Sequence, residues 1–376
     1  MCDNMKKKDK KLIAVFTNND DDIYCFRKEL IEAITDNGYD VLISCPYGKK
    51  FELMQHINYI YDNPDIDRRG TNIVSDLKLF IHFFLLLAKN RPDVVLTYTA
   101  KPNVYCGLAA FLQGIPVISN VTGFGSVLNQ TGLVQKFIMA LFRFSFRRSA
   151  CVMFQNETNM KLAKKNGMVK GECRLIPGSG VNTERYPVLP YPDDTDGVSF
   201  NYIGRILHDK GVDDYIEAAK RIKAKYPSVK FNMLGFIEPT EMHYEALLKE
   251  LEEKGIVKYH GSCTDVRPYI EASHATIHPS TYGEGMSNVL LESASSGRPI
   301  ISTDNPGCME TFIDNVSGYM YHGGDVDALC EKIEKFIALS NAERKAMGQA
   351  GRCHIEENFS REKVIEAYLE TIEKLI

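Results

Sequence analysis

Short apolar runs without polar alternation recur along the chain between longer stretches of helical spacing. Leu12–Phe16, 41–44, 93–98, 116–121, Cys151–Phe154 and 174–176 each read as a strand covered on both faces, the pattern of a parallel sheet. Residues 23–37, Ile73–Asn90 and 133–149 carry helical periodicity between them, and Gly38 stops the first. The alternation then starts again. Strands are predicted at 200–203, 231–235, 257–260, Ala275–His278, 299–302 and 317–321, with helices from Val212 onward and over 243–254, 266–272, 287–296, 325–339, Asn341–Asn358 and 360–376. This rhythm predicts an α/β chain with two doubly wound, Rossmann-like domains. Their expected limits are 1–184 and 198–357. Between them, 185–197 reads as a linker stiffened by Pro187, Pro190 and Pro192 and kept solvated by Asp193, Asp194 and Asp196, and 358–376 is a closing helical segment.

A length of 376 residues with 44% hydrophobic content is ample for two cores. The net charge of −4, of mixed sign and without a long basic tract, excludes a general nucleic-acid binder. The 10 cysteines are scattered with no Cys-x2-Cys pair, as suits buried thiols in a reducing cytosol better than disulfides or zinc ligands. After Lys6 to Lys11 only Leu12–Phe16 is apolar, too short a run for a signal peptide, so a cytoplasmic protein is expected. The apolar run 79–88 is about half of the ~20 residues a bilayer span needs. It fits either a fully buried helix or part of a membrane-facing surface. In 133–149 a helical wheel gathers Lys136, Arg143 and Arg147 into one stripe, with Phe137, Ile138, Leu141, Phe142, Phe144 and Phe146 around it. Such a helix either rests on an anionic leaflet or packs with its basic chains reaching out to water.

The chemistry concentrates in two loops. After the strand Ala275–His278 comes Pro279-Ser280-Thr281-Tyr282-Gly283-Glu284-Gly285-Met286-Ser287-Asn288, a glycine turn that sets Glu284 on the lip of the strand ends and then opens a helix. The first N–H groups of that helix, near Ser287, Asn288 and Val289, suit a phosphate. Glu292, one turn further in, suits a vicinal diol such as a ribose, because its two oxygens can take two hydroxyl protons. Upstream, Gly204-Arg205-Ile206-Leu207-His208-Asp209-Lys210-Gly211 places a guanidinium fork and a mobile ammonium in one short connection, a pairing suited to a diphosphate.

Glu-x7-Glu on a glycine loop, following Gly-Arg-x4-Lys-Gly, resembles the signature of the family 4 retaining glycosyltransferases. The resemblance covers most of the chain and implies the glycosyltransferase-B fold: two Rossmann-like domains facing across a cleft, with the last helix crossing back to the first. It implies a nucleotide-sugar donor held by the second domain. Arg205 and Lys210 would take the diphosphate, Glu292 the ribose, and Glu284 with Gly285 and Met286 the donor hexose, with retention of configuration and no required metal or other cofactor. Gly235, at a strand end, would meet the nucleotide base. In the first domain, Lys101 and the run Thr122-Gly123-Phe124-Gly125 stand at strand ends where an acceptor would bind. Many relatives place a histidine near Thr122, and this chain has none. Thr-Gly-Phe-Gly and the basic aromatic helix resemble enzymes that extend undecaprenyl-diphosphate glycans, implying a UDP-linked hexose or N-acetylhexosamine, a polyprenyl-diphosphate-linked acceptor and peripheral attachment to the inner face of the cytoplasmic membrane. A nucleotide-sugar epimerase of the same fold and a non-catalytic partner subunit are the alternatives.

Overall fold

The computed structural model describes residues 10–67, 72–124 and 133–376, with the backbone alone over 133–135. The chain divides into two compact units, Met1–Ser179 with Glu362–Ile376, and Gly180–Arg361. The first unit runs β1 (Leu12–Phe16), α1 (Asp20–Phe26), α2 (Lys28–Asp36), β2 (Asp40–Ser44), β3 (Ile60–Asp62), α3 (Ile73–Asn90), β4 (Val94–Tyr98), α4 (Gly107–Leu112), β5 (Val117–Val121), α5 (Leu133–Phe146), β6 (Cys151–Phe154), α6 (Glu157–Lys165) and β7 (Glu172–Leu175). Its strands pair in parallel in the order β3-β2-β1-β4-β5-β6-β7. The second unit runs β8 (Ser199–Ile203), α7 (Val212–Lys225), β9 (Lys230–Leu234), α8 (His243–Glu253), β10 (Lys258–Tyr259), α9 (Arg267–Glu271), β11 (Ala275–His278), α10 (Asn288–Ser295), β12 (Ile300–Thr303), β13 (Gly318–Tyr321), α11 (Val326–Ile337) and α12 (Asn341–Asn358). These strands also pair in parallel, in the order β10-β9-β8-β11-β12-β13. Both units are thus Rossmann-like α/β domains.

Burial on both sheet faces explains the unbroken apolar runs. In β1, Ile13 and Val15 enter one core cluster while Leu12, Ala14 and Phe16 enter the other. Strand order reverses between β1 and β4 in one sheet and between β8 and β11 in the other. Loops at the carboxyl ends of such strand pairs are where an open α/β sheet gathers ligands. From Glu362 onward, α13 (Arg361–Glu373) belongs to the first unit. Val364, Tyr368 and Ile372 are buried in its core, and Asn120 Nδ2 donates to the Tyr368 hydroxyl at 2.7 Å.

Several expectations need correction. The single helix over 23–37 is two helices meeting at Arg27, whose backbone leaves helical geometry at φ −125°. Arg27 is buried, its guanidinium 4.2 Å from the Tyr98 ring centroid and bonded to Ser179 Oγ, and this inward anchor breaks the helix. The acidic loop before it is largely a helix start, with Asn19 capping α1 and Thr17 donating to Asp22. Helix α3 is not fully buried: only Leu79, Phe83 and Leu87 are, while Ile73, Leu77, Ile81 and Leu85 stand exposed four residues apart. In α5, Phe142 and Phe146 pack into the core and Phe137 and Phe144 stay exposed. Residues 185–197 do not form a free solvated linker but are bound to the second unit. There Arg298 donates to the carbonyls of Leu189 and Pro190, and Asp194 pairs with Arg344 at 2.5 Å. The edge strand β3 and helix α6 had no counterpart in the sequence reading. Gly125, Cys2 and the first lysines of the Lys6 to Lys11 run lie outside the described residues. The described cysteines are free and only Cys353 is exposed.

Tyr368 tests the contribution of α13 to the first unit. Replacing it by Ala should lower stability by about 3–5 kcal/mol, as for other large buried aromatics, whereas Tyr368→Phe, which removes the hydroxyl that accepts from Asn120 and keeps the ring, should cost about 1 kcal/mol. Denaturant unfolding of the full chain, followed by circular dichroism, distinguishes the two.

Candidate active site

In the second unit the loops after β8 and β11 close on one another. Gly211 (φ +73°) allows this approach, since a Cβ there would lie 2.1 Å from the Pro279 carbonyl oxygen. Lys210 leaves this turn almost buried and meets Glu284, its Nζ 2.5 Å from Oε1, with both side chains only 11% exposed. Ser280 Oγ donates to the same oxygen at 3.1 Å, and His278 Nε2 lies 3.2 Å from it. Burial alone would raise the Glu284 pKa, but the Lys210 charge and the His278 contact outweigh it and hold the carboxyl well below the ordinary range. Glu284 therefore stays ionised and is turned into the protein, not outward on the loop lip as the sequence suggested. Arg205 donates to Glu238 at 2.8 Å, a carboxylate only 4% exposed. The Tyr282 ring joins the two cations, with Arg205 5.5 Å and Lys210 4.9 Å from its centroid. Burial would lower the Arg205 pKa, yet the bond to Glu238 raises it.

The helix start is more committed to the fold than the sequence suggested. The Ser287 N–H donates to the Gly307 carbonyl at 2.7 Å, and its hydroxyl makes no cap, lying instead 3.3 Å from His278 Nε2. Asn288 and Val289 remain the first-turn donors, where a helix has no internal acceptors, and the Asn288 side-chain Oδ1 is buried without a partner among the described residues. Gly285 is buried, and Met286 packs its side chain into a core cluster, so each offers backbone only. Glu292 is half-buried. Burial pushes its pKa up to about 7, against the lowering effect of Tyr186, Arg185 and Arg361.

Gly235 proves to be a packing position. Its φ is +145°, a Cβ there would lie 1.7 Å from the Gly204 carbonyl oxygen, its N–H donates to Gly261 O and its carbonyl accepts from the Tyr259 hydroxyl. In the first unit, Thr122 and Gly123 follow β5, and Lys101 follows β4. Lys101 is neither solvated nor unneutralised, because Asp76 holds its ammonium at 2.6 Å and also accepts from Tyr105. Next to it Thr99 adopts φ +65°, a strained setting for a threonine, and a π-helical turn follows over Pro102–Cys106.

His278, Ser280, Tyr282 and Glu238 were not singled out by the sequence reading. Only Tyr282 carried a signal, an aromatic residue within the glycine loop beside Glu284. Among the described residues, His278, Glu284 and Cys308 offer metal-type ligand atoms within 4.8 Å of one another. They fit a metal poorly. The Lys210 ammonium already neutralises Glu284, and burial keeps the Cys308 thiol well above its usual pKa and hence protonated.

Glu292 makes stability depend on pH. Its folded pKa lies above the unfolded one, so the folded chain binds the extra proton, and this group's contribution to stability should fall as pH rises from about 4.5 to about 7. In Glu292→Gln that slope should vanish, which denaturant midpoints measured across the window would reveal.

Comparison with known proteins gives this geometry a family. A glycosyl transferase 4-like model matches residues 13–156, and a glycosyl transferases group 1 model matches residues 192–354. The chain is 26% identical over 349 residues to the capsular polysaccharide biosynthesis glycosyltransferase CapM of Staphylococcus aureus, covering 89% of this chain and 90% of CapM. It is 24% identical to the N,N'-diacetylbacillosaminyl-diphospho-undecaprenol alpha-1,3-N-acetylgalactosaminyltransferase of Campylobacter jejuni, covering 84% and 86% of the two chains. The structure of Anabaena HepE in complex with UDP and glucose superimposes with a TM-score of 0.78 at 16% identity, covering 97% of this chain and 100% of HepE. The chain belongs to the glycosyltransferases of the glycosyltransferase-B fold, with a 4-like first domain and a group 1 second domain, among relatives that build capsular and undecaprenyl-linked glycans.

Proposed function

We propose that this glycosyltransferase moves a hexose or N-acetylhexosamine from a UDP-sugar to an undecaprenyl-diphosphate-linked glycan, with retention of configuration and without a required metal. One observation carries the reading: Arg205 and Lys210 meet at the Tyr282 ring, and Lys210 bonds Glu284. A donor diphosphate would take Arg205, Lys210 and the first-turn N–H groups of Asn288 and Val289. As the glycosidic bond breaks, charge grows on the diphosphate, and cations fixed beforehand lower the barrier. The leaving diphosphate takes the acceptor proton on the same face. Glu284 orients the hexose hydroxyls. Glu292 accepts the ribose diol, and doing so favours its ionised form against the burial that raises its pKa. Thr122, Gly123 and Lys101 serve the acceptor, Lys101 exchanging Asp76 for an acceptor phosphate. The Campylobacter relative, a transferase onto a diphospho-undecaprenol-linked sugar, and the Anabaena protein, bound to UDP and glucose, support the kind of acceptor and donor.

The same reading sets the enzyme on the inner face of the cytoplasmic membrane. Among the described residues no helix is long and apolar enough to cross a bilayer. Helices α3, α4 and α5 are neighbours on one face of the first sheet, and they expose Ile73, Leu77, Ile81 and Leu85, then Phe111 and Leu112, then Phe137 and Phe144. Beside them Ala140, Arg143, Phe144, Arg147, Arg148 and Lys170 line a groove of about 490 Å³. Arg148 stacks on Phe144 at 3.5 Å and on Phe111 at 4.8 Å. Apolar chains beside a basic groove suit an anionic leaflet, where each basic residue contributes about 1 kcal/mol.

Nucleotide release from UDP-sugars, measured with and without a polyprenyl-diphosphate sugar, tests the transfer. Release only with the acceptor, unchanged by EDTA, is expected, and Lys210→Ala should lower kcat by about 100-fold. Sugar interconversion without an acceptor would instead mark an epimerase. For the membrane reading, sedimentation with phosphatidylglycerol vesicles should recover the protein, neutral vesicles should not, and combined Arg143→Ala, Arg147→Ala and Arg148→Ala should weaken recovery more than about 10-fold.

A further inference from the structure

His278 ends β11 sealed inside the second unit, 2% exposed. A strand end buried on all sides calls for an apolar side chain, and an imidazole there must justify its burial by its bonds. One ring nitrogen does so. Nε2 lies 3.2 Å from Glu284 Oε1 and 3.3 Å from Ser287 Oγ. Nδ1 is buried without a partner among the described residues. Because Glu284 is ionised and can only accept, a proton belongs on Nε2, an assignment made from the partners. The position therefore carries an unsatisfied buried atom while it presents one N–H to one carboxylate oxygen.

That oxygen is shared. Lys210, Ser280 and His278 all converge on Glu284 Oε1, but only Lys210 stands on a mobile stem with a charge that a diphosphate would attract. His278 and Ser280 belong to the end of β11 and the residues just after it. The His278 backbone is held too, its carbonyl accepting from Ser302 Oγ at 2.7 Å. Through Ser287 the same imidazole also reaches the residue that precedes α10.

We propose that His278 is a positioning residue: its Nε2–H holds Glu284 in the orientation that receives the donor sugar while Lys210 turns toward the diphosphate. The proposal rests on the donor-binding reading given above. Binding of the nucleotide itself relies on Arg205, Lys210, Glu292 and the first-turn N–H groups of α10, to which His278 makes no direct bond, so removing its contact with Glu284 should lower turnover and spare donor affinity.

Two amide replacements of similar polarity separate this role from mere packing. In His278→Gln the amide nitrogen reaches the place of Nε2, whereas in His278→Asn it reaches only the place of Nδ1. The measurements are kcat, donor KM, UDP binding by calorimetry and thermal unfolding for both variants. The expected result is a Gln variant within about threefold of the unaltered enzyme and an Asn variant about 10–100-fold lower in kcat, as for a misaligned reacting group. Donor KM and UDP affinity should stay within about threefold in both. Equal kcat in the two variants, or an Asn loss matched by an equal loss of UDP affinity, overturns the proposal. If the unaltered chain transfers no sugar from any nucleotide donor, the donor-binding reading itself fails and this proposal falls with it.

Discussion

The second unit is arranged around a buried carboxylate that must be neutralised. Taking Glu284 out of water carries a penalty of several kcal/mol unless charge and hydrogen bonds replace the lost hydration. The Lys210 ammonium at 2.5 Å supplies the charge. That requirement accounts for the backbone around it. Lys210 arrives from the turn after β8 and Glu284 from the turn after β11, and the two turns touch only because Gly211 has no side chain to meet Pro279. Gly235 does the same for the next strand end, letting β9 close on Gly204. Glycines that look like loop filler in the sequence are thus the points where three neighbouring strand ends come close enough to share one polar cluster.

The two cations are held differently, and the difference matters for the proposed chemistry. Arg205 bonds a nearly inaccessible Glu238 through one Nη, while Lys210 shares its partner with a serine and a histidine. A guanidinium has donors on several edges, so it can keep Glu238 while turning another edge to a phosphate. An ammonium is a point charge, and a phosphate that approaches it competes directly with Glu284. In the proposed reaction Arg205 is the fixed member and Lys210 the mobile one. Tyr282, in contact with both, limits how far they part.

The periodic parts of the sequence were legible because burial alone decides them. β1, α3, β6, β11 and α12 have the limits their apolar runs indicate. The failures have a common cause in contacts between residues distant in the chain. The break at Arg27 depends on Tyr98, the neutralisation of Lys101 on Asp76, and the docking of 185–197 on Arg298. β3 is a three-residue edge strand and offers little pattern to read. At the candidate site, the clustering of Glu284, Lys210 and Arg205 was legible because glycine loops frame them. The inward turn of Glu284 was not, since it follows from His278 and Lys210, and the burial of Glu292 depends on packing near Tyr186 that no local window contains.

The two units also differ in the kind of polar floor they build at their strand ends. In the second it is ionic, with Lys210, Glu284, Arg205 and Glu238 in close pairs. In the first it is mostly neutral: Thr97 donates to Asn103, Asn103 to the Asn120 carbonyl, Gln155 to Asn120, and Asn120 to Tyr368. The charges nearby are paired locally, Lys101 with Asp76 and Arg27 against the Tyr98 ring. A floor of paired charges stabilises a ligand whose charge grows during reaction, because its dipoles and cations are oriented before the bond breaks. The amides and hydroxyls of the first unit are buried and bonded to one another, and so brace its strand ends without a field. In the proposed reaction the donor diphosphate would therefore meet the ionic cluster of the second unit, whose cations are oriented before the bond breaks.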